Sequence, residues 1–130
     1  MKPITKKIYY HDTDCGGVVY YANYLKYFEE GRTEFFSNKG INIAKLSDNN
    51  IWFVVRKVEI NYRSPARYAD ELLVFTTVAK VKNVSLDFEQ QIKRGEQLLV
   101  SAITQLVCVD SKFGPRVIPQ EVIEKLGHAL

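Results

Sequence analysis

The densest run of chemically capable side chains is His11-Asp12-Thr13-Asp14-Cys15-Gly16-Gly17. It is polar and ends in two glycines, so it reads as a loop that turns the chain. Two aspartates flank Thr13 there, just ahead of a helical pattern. Aspartates in such places often cap a turn or a helix start, where unpaired N–H groups stabilise a carboxylate. The same N–H groups can also bind a developing oxyanion, while a neighbouring carboxylate attacks a carbonyl or deprotonates water. That combination suits acyl transfer. A carboxylate of ordinary pKa, about 3.9, is ionised at neutral pH but weakly basic, so the acyl compound has to carry a good leaving group. A thioester does, because thiols of pKa about 8.5 depart without strong acid assistance. At the level of residue types, capping and catalysis remain open for both aspartates.

Other chemistries fit less well. His11-Asp12-x-Asp14 resembles part of a metal site, but such a site needs three or more converging ligands, and the only other histidine is His128. No metal and no cofactor are expected. Cys15 could act as a nucleophile with His11 as base, although near neighbours in an extended chain rarely point at one another. Cys15 and Cys108 form no CxxC pair and read as reduced thiols. With 18 Lys+Arg against 15 Asp+Glu, the formal charge is +3. The charges are scattered, unlike the clustered basic stripe of a nucleic-acid binder, yet small basic patches for a phosphate-bearing small molecule remain available. No apolar run approaches the roughly 18 residues of a membrane span, no secretory signal is evident, and the cytoplasm is the expected location.

The elements that position these residues follow from periodicity. In 130 residues there is room for one domain. Residues 4–10 suit a short strand. From Asn23 to Lys39 the period becomes helical: Tyr24, Phe28, Gly31 and Phe35 share a face with Leu25, and Lys26, Glu30 and Glu34 line the other. Asn23 is the expected N-cap and Gly40 the expected stop. Gly31 costs about 1 kcal/mol relative to Ala inside a helix, so something should pack against it closely. Strands are predicted over Ile51–Arg63, Glu71–Lys82, residues 84–93 and Gln97–Val109. Val58, Ile60 and Tyr62 should share one face. Val84, Leu86, Phe88 and Ile92 should point inward and Ser85, Asp87, Glu89, Gln91 and Lys93 outward. Arg94-Gly95 marks a hairpin turn, and Gln120–Leu126 a short closing helix begun at a proline. The result is an α+β fold in which one helix cannot cover both sheet faces, so a homodimer or homotetramer is expected.

The run HDTDCGGVVYYANYLKYFEEGRTEFF, with INYRSPARYADELLV at 60–74, resembles the 4-hydroxybenzoyl-CoA thioesterase family of hotdog-fold enzymes, and most closely its YbgC-like acyl-CoA thioesterases. The likeness covers essentially the whole chain. It implies a hotdog fold, a long central helix wrapped by a curled antiparallel sheet of about five strands, with residues 1–130 as a single thioesterase domain. By the same resemblance Asp14 is the catalytic carboxylate, as nucleophile or general base, and Tyr21 supplies the backbone N–H that polarises the thioester carbonyl. YbgC-like members commonly carry a histidine where this chain has Tyr21, so the backbone donor survives and an imidazole does not. The substrate implied is an acyl-coenzyme A, with Arg63, Arg67, Lys80 and Lys82 at strand ends available to its phosphates; lysines there also protect sheet edges from unwanted pairing. Asp12→Asn is expected to keep most activity. A non-catalytic acyl-CoA-binding or scaffold protein on the same fold is the alternative. A dehydratase would need a His/Asp pair that the helix does not offer.

Overall fold

The computed structural model describes residues 2–127. Its strands are β1 (Ile4–Lys7), β2 (Trp52–Tyr62), β3 (Glu71–Val81), β4 (Ser85–Arg94) and β5 (Gln97–Val109). They form one antiparallel sheet in the order β1-β3-β4-β5-β2. Because β1 and β2 lie at opposite edges, the chain between them must cross the sheet, and helix α1 (Asn23–Asn38) makes that crossing. A second short helix, α2 (Ile43–Asp48), packs near β2, and α3 (Gln120–Leu126) closes the described chain. Register shifts between Val55 and Lys57, Val78 and Lys80, and Ile92 and Lys93 mark bulges, which bend strands and increase twist. The sheet curls around α1 as a hotdog fold.

Alternation set the inner face largely as expected. Leu86, Phe88 and Ile92 are fully buried under the helix, as are Leu72 and Val74 of β3. At the helix, Tyr24, Phe28 and Phe35 are buried together with Tyr27 and Phe36. Gly31 lies where the sheet comes nearest: an added Cβ would stand 2.8 Å from Thr76 Oγ1 and 2.9 Å from Val74 Cγ1. Around it runs a buried polar bridge. Gln90 Nε2 donates to Phe28 O and to Thr76 Oγ1, both at 2.9 Å, and Gln90 Oε1 accepts from Arg32 Nη1 at 3.1 Å. Burial pushes the Arg32 guanidinium down from its ordinary pKa, with Glu29 opposing the shift.

Several expectations are corrected. Leu25 is 44% exposed, because it follows the buried Tyr24 by 100° around the helix and turns to the open side. Ser85 is buried, at the sheet end where the C-terminal segment ties on through Arg116 N–H to Cys108 O and Ile118 N–H to Asn83 O. The N-cap of α1 is Ala22, and Asn23 is the first helical residue; its side chain is engaged elsewhere. The first strand stops at Lys7, since residues 10–12 wind into a 3-10 turn. The hairpin turn is Gly95-Glu96, closed by the Arg94–Gln97 pair, with Gly95 at φ 59° as the first central position of a type II′ turn requires.

Candidate active site

Residues 12–20 fold back as a small hairpin. Tyr20 N–H donates to Asp12 O at 3.0 Å, Asp14 N–H to Val18 O at 2.9 Å, and Gly17 N–H to Asp14 O at 3.1 Å. Gly17 takes φ 79°, a conformation that favours glycine. Asp14 therefore sits at the tip, exposed. Its Oδ1 accepts from Gly16 N–H at 2.8 Å, a local Asx turn that orients the carboxylate. Its Oδ2 has no protein partner among the described residues.

Beyond the hairpin the chain turns into α1, with Asn23 N–H donating to Tyr20 O at 2.8 Å. The N–H groups of Tyr21 and Ala22 find no protein acceptor among the described residues, as expected for a helix start. Tyr62 Oη donates to Tyr21 O at 3.3 Å, and the Tyr62 ring meets those of Tyr21 and Tyr24. Val58, Ile60 and Tyr62 do share a face, but Tyr62 remains 46% exposed because α1 packs mainly over β3 and β1. The loop before β3 clamps the hairpin from below: Val19 N–H donates to Ala66 O at 2.8 Å, and Ala66 N–H to Tyr24 Oη at 3.1 Å. An exposed carboxylate and free helix-start N–H groups thus lie at one end of the sheet, an arrangement able to attack a carbonyl and bind its oxyanion.

The family model of the thioesterase-like superfamily matches residues 9–126. The chain belongs to the thioesterase-like superfamily. Acyl-CoA thioester hydrolase YbgC of Escherichia coli O157:H7 is 38% identical over 119 residues, covering 90% of this chain and 89% of that one. Acyl-CoA thioesterase YbgC of Haemophilus influenzae is 38% identical over 126 residues, covering 94% and 91%. Among solved structures, a probable thioesterase from Bartonella henselae superposes with a TM-score of 0.87 at 35% identity, over 90% of this chain and 98% of that one. The expected fold and the expected enzyme class, a thioester hydrolase, are those of the superfamily.

Within this thioesterase fold the anticipated phosphate-binding residues divide. Arg67 pairs with Val18 through an isolated β-bridge, so it adjoins the hairpin. Arg63 follows β2 at the same end, its N–H on Leu99 O at 2.8 Å, and its side chain lines an outer-face groove with Glu59, Asn61 and Glu89. Lys80 and Lys82 stand at the far end of β3, about 30 Å from its Glu71 start at 3.3 Å per residue. A cleft of about 530 Å³ lies between β1 and α1 beside Glu29, Glu30 and Glu34. Asp14 does not line it, and the chemistry of the carboxylate weighs more than the size of an open groove.

His11 stacks on Tyr9 with ring centroids 5.8 Å apart and puts Nδ1 3.8 Å from Asp12 Oδ1; no hydrogen bond joins it to Cys15. Cys15 is exposed and Cys108 buried, where burial pushes the Cys108 thiol up. His128 lies outside the described residues. Asp12, adjacent in sequence to all of this, is buried. Burial alone would raise its pKa, but the Tyr9 N–H and Tyr27 hydroxyl, aided by Lys6 and His11, hold the carboxyl below its ordinary value. Residue types and spacing in the loop do not single out Tyr27, which joins this site from the helix. The available signal was its place three residues after Tyr24, on the same side of the helix.

No helix among the described residues is long and apolar enough to cross a membrane.

Proposed function

We propose that this protein hydrolyses the thioester of an acyl-coenzyme A to the free acid and coenzyme A, with Asp14 as the attacking or water-activating carboxylate. The observation that carries this reading is the occurrence of an exposed Asp14, oriented by Gly16 N–H, together with a Tyr21 N–H that has no partner among the described residues and lies just before α1. The names of the YbgC relatives support the substrate class. In the nucleophilic form, Asp14 attacks the carbonyl carbon, the oxyanion is met by the Tyr21 N–H, and the C–S bond breaks to release the thiolate. Water then cleaves the mixed anhydride. In the general-base form, Asp14 takes a proton from the water that attacks. In both, the thiolate needs little acid assistance.

The site works in an oligomer. Strand β2 presents an eleven-residue free edge with exposed Val55 and Tyr62, suited to pairing with a second copy. A homodimer or homotetramer also lets Lys80 and Lys82, remote from Asp14 of their own chain, serve the phosphates of coenzyme A bound to a neighbour, while Arg63 and Arg67 serve their own site. A stable monomer in sedimentation at micromolar concentration would remove this part of the reading.

The decisive experiment compares two variants on one hydrolysable acyl-CoA, with circular dichroism as folding control. Asp14→Asn preserves size and the Gly16 acceptor while removing the charge, and should lower kcat by about two orders of magnitude or more. Cys15→Ser should stay active. An active Asp14→Asn refutes the carboxylate mechanism, and an inactive Cys15→Ser would transfer the chemistry to the thiol.

A further inference from the structure

Asp12 ties the base of the hairpin that carries Asp14 to the helix. Asp12 is only 5% exposed, and four hydrogen bonds converge on it. Its Oδ2 accepts from Tyr9 N–H at 2.9 Å and its Oδ1 from Tyr27 Oη at 2.8 Å. Its carbonyl oxygen accepts from Tyr20 N–H at 3.0 Å and from Asn23 Nδ2 at 2.9 Å. These donors belong to the exit of β1, the second turn of α1, the returning hairpin arm and the first residue of α1. Asp14 is two residues along the outgoing arm, and Tyr21 follows directly on the residue bonded to Asp12.

From this geometry we infer that Asp12 and Tyr27 form a positioning pair, which fixes the Asp14 carboxylate relative to the Tyr21 N–H by pinning the base of the hairpin to α1. The inference rests on the proposed role of Asp14 and extends it to residues that do not touch substrate. The turn that enters α1 supplies the proposed oxyanion donor, Tyr21 N–H, and the hairpin tip supplies the carboxylate. Reaction rate depends steeply on their mutual placement, since an error of about 1 Å can cost a hundredfold. A carboxylate suits the post, because it accepts from two donors at once with charge-assisted bonds.

The structure also explains why an amide should serve nearly as well. Asn at position 12 can accept the Tyr9 N–H with its carbonyl oxygen and donate its NH₂ to the Tyr27 oxygen, since a phenol both donates and accepts. Asp12→Asn should therefore retain kcat within about threefold. Asp12→Ala removes both links and should lower kcat by about 10- to 100-fold, with KM within twofold. Tyr27→Phe keeps the ring and deletes only the hydroxyl, and should lower kcat by about tenfold.

Kinetics are measured on the intact protein well below each variant's unfolding transition. A residue that merely stabilises the fold would lower the melting temperature and leave kcat of the folded protein unchanged. The proposal is overturned if Asp12→Ala and Tyr27→Phe both keep wild-type kcat while Asp14→Asn is inactive. Should Asp12→Ala not fold, Tyr27→Phe decides the matter alone. Adding Tyr27→Phe to Asp14→Asn supplies an independent check. With no carboxylate left to place, the residual rate should not fall further, and a further tenfold fall would refute the coupling. An active Asp14→Asn would instead refute the underlying mechanism, so the two failures are distinguishable.

Discussion

Replacing Gly31 with alanine sets helix propensity against packing at a site where both can be weighed. Alanine in a helix interior is favoured over glycine by about 1 kcal/mol. Against this, the new methyl would meet Thr76 Oγ1 at 2.8 Å, Val74 Cγ1 at 2.9 Å and Gln90 Nε2 at 3.0 Å. Overpacking of this kind costs about 1–3 kcal/mol. Two of the three neighbours, Thr76 and Gln90, cannot turn away freely. Thr76 is the acceptor for Gln90, and Gln90 is held in addition by Phe28 O and Arg32. Rotating Thr76 leaves a buried amide hydrogen with one partner fewer, a further cost of about 1–3 kcal/mol. The net expectation is a loss of about 1–5 kcal/mol. In a domain of 130 residues, that lowers the melting temperature by about 4–18 °C. Differential scanning calorimetry on purified Gly31→Ala would read it directly. A melting temperature equal to or above that of the parent would show that Val74, Thr76 and Gln90 yield at less cost than the helix gains, and that close approach of the sheet does not require glycine at position 31.

The Asp12–Tyr27 hydrogen bond should shape stability at both extremes of pH. Asp12 titrates below its ordinary 3.8 in the folded state, so its contribution is complete above that pH and is lost as pH falls through the folded value. Tyr27 is raised above its ordinary 10.0, by burial first and then by Asp12, so its contribution is complete below pH 10 and declines as pH rises beyond it. Urea midpoints measured across pH should show both losses, and Tyr27→Phe should flatten the alkaline one; an unchanged alkaline slope would contradict the assignment. Replacing Lys80 and Lys82 by Ala should raise KM for acyl-CoA more than it lowers kcat, with an effect that shrinks as salt is added. KM unchanged at low ionic strength would remove both lysines from the coenzyme A site.

Strong periodicity made the scaffold legible. Tyr24, Phe28, Gly31 and Phe35 recur at helical spacing, and the inward residues of β4 recur every second position, so α1 and the long strands could be read with boundaries off by a residue or two. The short α2 escaped because six residues cannot display a period. Its only mark was Asn42, whose Oδ1 accepts from Lys45 N–H at 3.1 Å as an N-cap does. Gln90 is an intermediate case. It lies between Phe88 and Ile92 at an inward position of the alternation, but a glutamine there is informative only once its partners are known, and those are 14, 58 and 62 residues away in sequence.

Asp12 and Asp14 show where reading residues in order reaches its end. In sequence they are two like side chains around one threonine, and both fit a cap or a base equally. What separates them is a hairpin whose first arm turns one carboxylate under α1 and leaves the other at the tip. That division depends on Tyr27, fifteen residues on, and on Gly16 and Gly17, which let the tip turn. The buried aspartate meets a donor at each oxygen; the exposed one meets a single local N–H and keeps an oxygen free for a substrate or a water. Two filled oxygens suit holding a structure, and an open oxygen suits attacking a carbonyl, so under the proposed mechanism the two identical residue types take opposite roles from their partners alone.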